Sequence, residues 1–124
     1  MKSFDQVIAW TIATIGVLHA GTTWLIYKQF SMAAVWFFDA AVVLWFTAAL
    51  NLLRIRYATV APGIRVVSIG ANLLVLATVL TVALRSKTAQ NLTGVAFCLL
   101  ILLAAVLSLR KSLQHYPAPA GPTD

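Results

Sequence analysis

The sequence predicts an all-α, single-domain integral membrane protein, a four-helix bundle with up-down-up-down topology. Of its 124 residues, 61% are hydrophobic and 10% are charged, and glutamate is absent. Soluble domains average about 45–50% apolar and about 25% charged residues. The chain also divides into four apolar blocks, each close to the roughly 20 residues that cross a bilayer core of about 30 Å. Lipid offers backbone groups no hydrogen-bond partner, so each block is expected to be helical.

The first helix is predicted at about 6–27. A cleaved signal peptide is the alternative for this block, because Lys2 precedes a short apolar run. However, Asp5 lies in the segment that should be basic, and three more apolar blocks follow instead of a soluble domain. We therefore interpret the block as a retained helix.

The other three helices are predicted at about 31–53, 61–84 and 91–109. Pro62 lies in the first turn of the third, where a missing N–H costs no hydrogen bond, and Asn91 suits the N-cap of the fourth. The connections are short, which makes consecutive helices antiparallel neighbours. Residues 112–124 are rich in proline and are expected to form a disordered cytoplasmic tail.

The basic residues predict the orientation. One side of the membrane would carry six of them: Lys2, Arg54, Arg56, Arg65, Arg110 and Lys111. The other side would carry three: Lys28, Arg85 and Lys87. The positive-inside rule then places both termini in the cytoplasm. The net charge of +6 is spread singly and in pairs between apolar blocks, a pattern that favours membrane lipids rather than nucleic acid as partners.

Two ionisable residues are predicted at depth, His19 and Asp39. Each lies about three residues, or about 4.5 Å, to the outer side of its helix centre. Intramembrane ionisable groups are candidate functional residues. The predicted ligand or proton site therefore combines His19 and Asp39 with Asn72, near the midplane, and Trp36, which shares a helix face with Asp39. A purely structural tie between helices, or no contact at all, are the alternatives.

A secondary polar seam is predicted below this site from Asn51, Arg65 and Ser68. Arg65, Ser68 and Asn72 recur at three- and four-residue spacing and so share a face of the third helix. Polar side chains often only hold membrane helices together, and that explanation stands beside the functional one. An aromatic-walled cavity capped by His19 is a further hypothesis, against ordinary aromatic packing.

The sequence lacks the motifs of most known sites. One cysteine, Cys98, forms no internal disulfide or metal pattern, and no HExxH, GxSxG or Walker loop is present. One deep histidine supplies only half of a bis-His haem site. We therefore expect no catalytic residues, no metal and no cofactor. Small multidrug exporters carry a membrane glutamate, which this chain lacks.

Three segments resemble a family of small bacterial four-helix inner-membrane proteins, the DoxX-like proteins. They are His19 with Gly21, the stretch LWFTAALNLLR from Leu44 to Arg54, and the stretch PGIRVVSIGANLL from Pro62 to Leu74. The resemblance covers three of the four helices through loose, apolar motifs. It implies the bacterial inner membrane and carries no assigned activity.

Three functions stay open from the sequence. The first is an accessory, assembly or ligand-binding component of the bacterial inner membrane, in a larger complex or as a homo-oligomer, because a bundle this small has little interior volume. The second is a proton-coupled carrier that uses His19 and Asp39. The third is an enzyme on a lipidic or quinone-like substrate, with His19 as general base; the missing motifs favour a protein that is not an enzyme.

Overall fold

In the computed structural model the chain forms four α-helices, and the structure describes residues 2–86 and 92–109. The helices are α1 (Lys2–Ile26), α2 (Met32–Tyr57), α3 (Pro62–Ser86) and α4 (Leu92–Leu109). The predicted all-α class is confirmed. The predicted N-cap Asn91 and the predicted tail at 112–124 lie outside the described residues.

The helix ends differ from the prediction by about one turn at two places. α1 begins at Lys2 rather than near residue 6, and α2 continues to Tyr57 rather than stopping near residue 53. The apolar run marks only the part of a helix that lies in hydrocarbon, whereas helices continue into the headgroup layer. Asp5 in the first turn of α1 and Arg54 and Arg56 in the last turn of α2 also suit the helix dipole.

The helix starts follow local rules. Ser31 has an extended backbone and is the N-cap of α2, where its hydroxyl accepts a hydrogen bond of 3.2 Å from the Ala34 N–H. Pro62 is the first residue of α3, as expected for a residue whose fixed φ suits that position. Short connections at residues 27–31 and 58–61 leave consecutive helices side by side.

The four helices form an antiparallel ring. Sequential helices pack against each other, α4 also contacts α1 and α2, and no Cα atoms of α1 and α3 come within 8 Å across the described ranges. α1 and α3 therefore lie on a diagonal. The buried centre takes apolar side chains from every helix: Ile8, Ile12, Leu44, Ala48, Val75, Ile101, Ala104 and Leu107.

Large apolar side chains cover the outside of the bundle. Phe30 is 94% exposed, and Trp24, Leu25, Leu74 and Leu84 are also well exposed. An apolar surface of this extent suits lipid rather than water. Three helical stretches are long and apolar enough to cross a membrane: Ser3–Ile26, Met32–Tyr57 and Pro62–Arg85. The chain is thus a membrane protein.

α4 is the shortest helix, and its crossing of the membrane stays a prediction. Its 18 residues span about 27 Å at 1.5 Å per residue, close to the thickness of the bilayer core. The apolar stretch assigned within it, Val95–Leu109, is shorter than the other three spans.

Candidate functional site

Polar side chains collect at one end of the bundle, where α1 and α3 begin and α2 and α4 end. We call this group the polar end and define it as Asp5, Asn51, Arg54, Arg65, Ser68 and Asn72. It contains the predicted secondary seam of Asn51, Arg65 and Ser68. Each member makes at least one hydrogen bond or ion pair to another helix.

Asn51 of α2 and Asn72 of α3 form a reciprocal amide pair. The Nδ2 of each donates to the Oδ1 of the other, at 2.9 Å and 3.0 Å, and Asn51 Nδ2 also donates to the Thr47 carbonyl at 2.9 Å. One turn before Asn72, the Ser68 hydroxyl donates to the Leu50 carbonyl at 2.8 Å. Asn51, Ser68 and Asn72 are all buried. These bonds fix the rotation of α2 against α3.

Arg54 connects three helices. Arg54 is only 8% exposed. Its Nη1 donates to the Leu107 carbonyl of α4 at 3.1 Å, and its Nη2 lies 3.5 Å from Asp5 Oδ2 of α1. Arg65 adds a bond of 2.6 Å from its Nη2 to the Leu109 carbonyl. The last carbonyls of a helix have no partner within the helix and carry partial negative charge. Two guanidinium groups therefore cap α4 from α2 and α3.

The contacts within the polar end give its residues a structural role in holding the helices together. The carboxylate of Asp5 faces a guanidinium, and both amides of the asparagine pair are occupied by each other. The Nε atoms of Arg54 and Arg65 are buried without a hydrogen-bond partner in the described part of the chain. Because its acid is paired and its amides are used, this cluster offers no free base or nucleophile.

His19 lies towards the opposite end and contacts aromatic rings. Its imidazole stacks on Phe37 of α2, with centroids 4.0 Å apart and planes inclined by 19°, and Tyr27 packs on the same Phe37 at 5.7 Å. The hydroxyls of Thr22 and Thr23 donate to the His19 carbonyl. His19 Nε2 is buried and has no hydrogen-bond partner among the described residues.

The predicted pair of His19 and Asp39 does not form. Among the described residues, Arg54 and Asp5 form an ion pair, whereas none of them makes a hydrogen bond or ion pair to the exposed Asp39. The cause is helix rotation: two steps of 100° per residue leave Asp39 pointing about 160° away from Phe37, the residue that faces His19. Equal depth on two helices is therefore necessary for two side chains to meet, but it does not by itself bring them together.

The structure separates the four residues of the predicted site into three places. Asn72 joins the polar end rather than His19. Trp36 shares the outward face of α2 with Asp39, as expected, and is 70% exposed. Trp36 therefore forms no cavity wall beside His19. Whether any of the four binds a ligand stays a prediction.

The sequence interpretation missed Asp5 and Arg54 as partners. Asp5 entered it as an argument against a signal peptide, and Arg54 as a charge that predicts orientation and as the end of the stretch from Leu44. The sequence does contain an indication of this pair. Arg54 lies three residues after Asn51 on the same helix face, and Asp5, near the start of α1, lies at the same end of the antiparallel α1–α2 pair. Asp5 is also one of only three acidic residues in the chain.

Metal-ligating side chains and surface grooves can be assessed in the parts of the chain that the structure describes. Within them, no group of three or more His, Cys, Asp or Glu side chains could hold a metal ion. An open groove of about 600 Å³ runs along α1, lined by residues that include Gln6, Trp10 and Thr14. Neither His19 nor Asp39 lines it. Its hydroxyls on Thr11 and Thr14 already donate to carbonyls of α1.

Comparisons with models of known protein families, with curated proteins and with solved structures find no match to this chain. The functional argument therefore depends on the geometry alone. That geometry leaves one exposed acidic side chain, Asp39, within a membrane span and without a partner among the described residues.

Proposed function

We propose that this protein is a non-enzymatic assembly or accessory component of the bacterial inner membrane that docks onto another membrane protein, with both termini in the cytoplasm. The exposed carboxyl group of Asp39 is the observation that carries the proposal. Asp39 is exposed on α2, within the span Met32–Tyr57. It lies about 8 Å from the helix midpoint at 1.5 Å per residue, inside a hydrocarbon layer of about 15 Å half-thickness.

A carboxyl group at this depth is unfavourable if it faces lipid. Insertion scales assign about 2.5–3.5 kcal/mol to an aspartate at the centre of a membrane helix, which is an upper bound for Asp39, and such residues almost always face protein or a water-filled cavity. Asp39 faces away from the other three helices. A protein surface outside this chain would relieve the cost, which supports a docking role.

The two alternatives from the sequence have less support. A carrier that passes protons between His19 and Asp39 would need the two side chains to meet, and the described contacts keep them apart. An enzyme with His19 as base would need the imidazole to line a cavity, and the groove along α1 does not include it. No described contact favours either function, so neither is proposed.

The proposal is tested by measuring the mass of the assembly that this chain forms in its native membrane. The full chain, expressed at its natural level, would be extracted with surrounding lipid in polymer nanodiscs and weighed by native mass spectrometry. We expect a stoichiometric assembly that contains the 13.4 kDa chain and a second protein. Asp39→Asn should lower its yield, whereas Leu74→Ala, on an exposed position of α3, should not. Particles that contain only this chain, as monomer or homo-oligomer, would refute the proposal.

A further inference from the structure

The outward face of α2 carries side chains at heptad spacing. We call this face the α2 outer seam and define it as Met32, Trp36, Asp39, Val43, Phe46 and Leu53. The steps along it are four, three, four, three and seven residues, and all six side chains are exposed. Alternating steps of three and four residues align side chains in a stripe that packs against a second helix, in membranes as in coiled coils. The seam therefore has the form of a helix-packing surface.

The composition of the seam indicates the chemistry of its partner. Five of its members are apolar or aromatic, and such side chains can pack equally well against lipid or against another helix. Asp39 is the exception, and it lies between Trp36 and Val43, so a helix in the seam would cover it. A positively charged side chain opposite Asp39 is the group that would offset the cost of burying its carboxylate, since charged groups inside membranes pair with one another.

Within the described ranges, a second copy of this chain offers no such charge at the depth of Asp39. Two copies in the same orientation, packed seam to seam, would bring two carboxyl groups together. The described basic residues lie near the ends of the bundle: Arg54, Arg56 and Arg65 at the polar end, and Lys28 and Arg85 at the other. Lys28 lies before the first residue of α2, and Asp39 lies about 10 Å along the helix axis beyond that residue. Lys28 of a second copy in the same orientation would therefore not reach the depth of Asp39. The occupant is therefore a different chain.

We infer that the α2 outer seam binds a transmembrane helix of another protein whose lysine or arginine side chain pairs with Asp39. This inference rests on the proposed docking function and identifies the surface and the partner chemistry. Trp36 and Phe46 flank the acid on the same stripe, and both are well exposed. They would pack beside the incoming helix and keep lipid and water from the ion pair.

The inference can be tested with a synthetic helix as the probe. The probe is a leucine-rich single-span peptide with one lysine at the depth of Asp39, and its control carries leucine in place of the lysine. The full chain, labelled at Gln29→Cys in a Cys98→Ser background, is reconstituted in phosphatidylcholine vesicles, and energy transfer to the labelled peptide is measured. Interhelical polar contacts in model peptides contribute about 1–2 kcal/mol, so we expect about tenfold tighter association of the lysine peptide than of its control.

Variants assign the effect to the seam. Asp39→Asn should remove the preference for the lysine peptide, Leu74→Ala should leave it unchanged, and Asp39→Lys should instead prefer a peptide with aspartate at that level. Equal association of both peptides with the unmodified chain would overturn the inference. The inference would also be overturned if labelled copies of the chain showed energy transfer to each other and Asp39→Asn abolished that transfer. This result would indicate self-association through the seam.

The nanodisc experiment separates this failure from failure of the proposed function. If a second protein is present in the native assembly but the lysine peptide is not preferred, docking stands and the partner chemistry is wrong. If no second protein is present, the docking function itself is wrong, whatever the peptides do.

Discussion

The reciprocal amide pair of Asn51 and Asn72 links α2 to α3 through two hydrogen bonds. Both side chains are buried, and each amide gives and accepts a hydrogen bond within the pair. A buried amide that loses its partner keeps the cost of desolvation, whereas replacing both partners with apolar groups removes the requirement altogether. The pair therefore stabilises this packing mainly because each amide needs the other.

This reasoning predicts a strongly non-additive pair of substitutions. Asn51→Leu and Asn72→Leu should each lower the free energy of unfolding by about 1–2 kcal/mol, because each leaves one amide unpaired. The double variant should recover most of that loss. Unfolding of the chain in bicelles, followed by steric trapping, measures the three values. Losses in the double variant equal to the sum of the single losses would contradict the explanation.

The same pair shows what the sequence could predict about the candidate site. Position in an apolar block gives only an approximate depth: it places Asn72 near the midplane with His19 and Asp39, and Asn51 below them, yet the two amides pair. Rotation about the helix axis was not available, because in lipid the inward and outward faces of a helix are both apolar. Asn51 and Asn72 face each other, whereas Asp39 is turned away from His19, although predicted depth alone favours the second pair over the first.

At the scale of elements, α1 and α2 come into close contact at Gly16. A Cβ atom added there would lie 2.7 Å from Cδ1 and Nε1 of the Trp45 indole and 3.3 Å from the Ala41 carbonyl oxygen. Small residues at helix interfaces allow this kind of close approach in membranes. Gly16 lies four residues before Ala20, which is also buried, so the small residues follow one face of α1.

Adding one methyl group at this contact should separate the two helices. We expect Gly16→Ala to lower the free energy of unfolding by about 1–3 kcal/mol, as overpacking does elsewhere, because the indole and the Ala41 carbonyl must both shift. Gly21→Ala is the matched control, since no atom lies within 4 Å of its added Cβ. Thermal unfolding in detergent micelles compares the two. Equal stabilities of the two variants would show that α1 and α2 are not in close contact at Gly16.

At the scale of the whole molecule, the solvent determines how much of the fold is predictable. Hydrocarbon requires backbone groups to pair within each segment, so four apolar blocks become four helices whatever their detailed sequence. The short connections then determine the antiparallel order. The helix ends in the headgroup layer were less predictable, because polar residues there are compatible with helix and with loop. α2 continues through Arg54 and Arg56 for this reason.

The charge distribution of the whole molecule predicts its orientation. Among the described side chains, Arg54, Arg56 and Arg65 lie at the polar end, and Lys28 and Arg85 lie at the opposite end. Lys2, Arg110 and Lys111 add to the first side in the sequence, and Lys87 to the second. Positive charges near the ends of spans are retained in the cytoplasm. The polar end, with the amino terminus, should therefore face the cytoplasm.

Single cysteines in the two connections test this orientation. In a Cys98→Ser background, a maleimide that cannot cross membranes should label Gln29→Cys in intact bacterial cells. It should label Thr59→Cys only after the membrane is permeabilised, because residue 59 lies in the connection at the polar end. The opposite pattern would place both termini outside. Equal labelling at both sites in intact cells would mean that the chain inserts in two orientations. The α2 outer seam would then meet partner helices of either direction, and one lysine at one depth could not satisfy Asp39 in both.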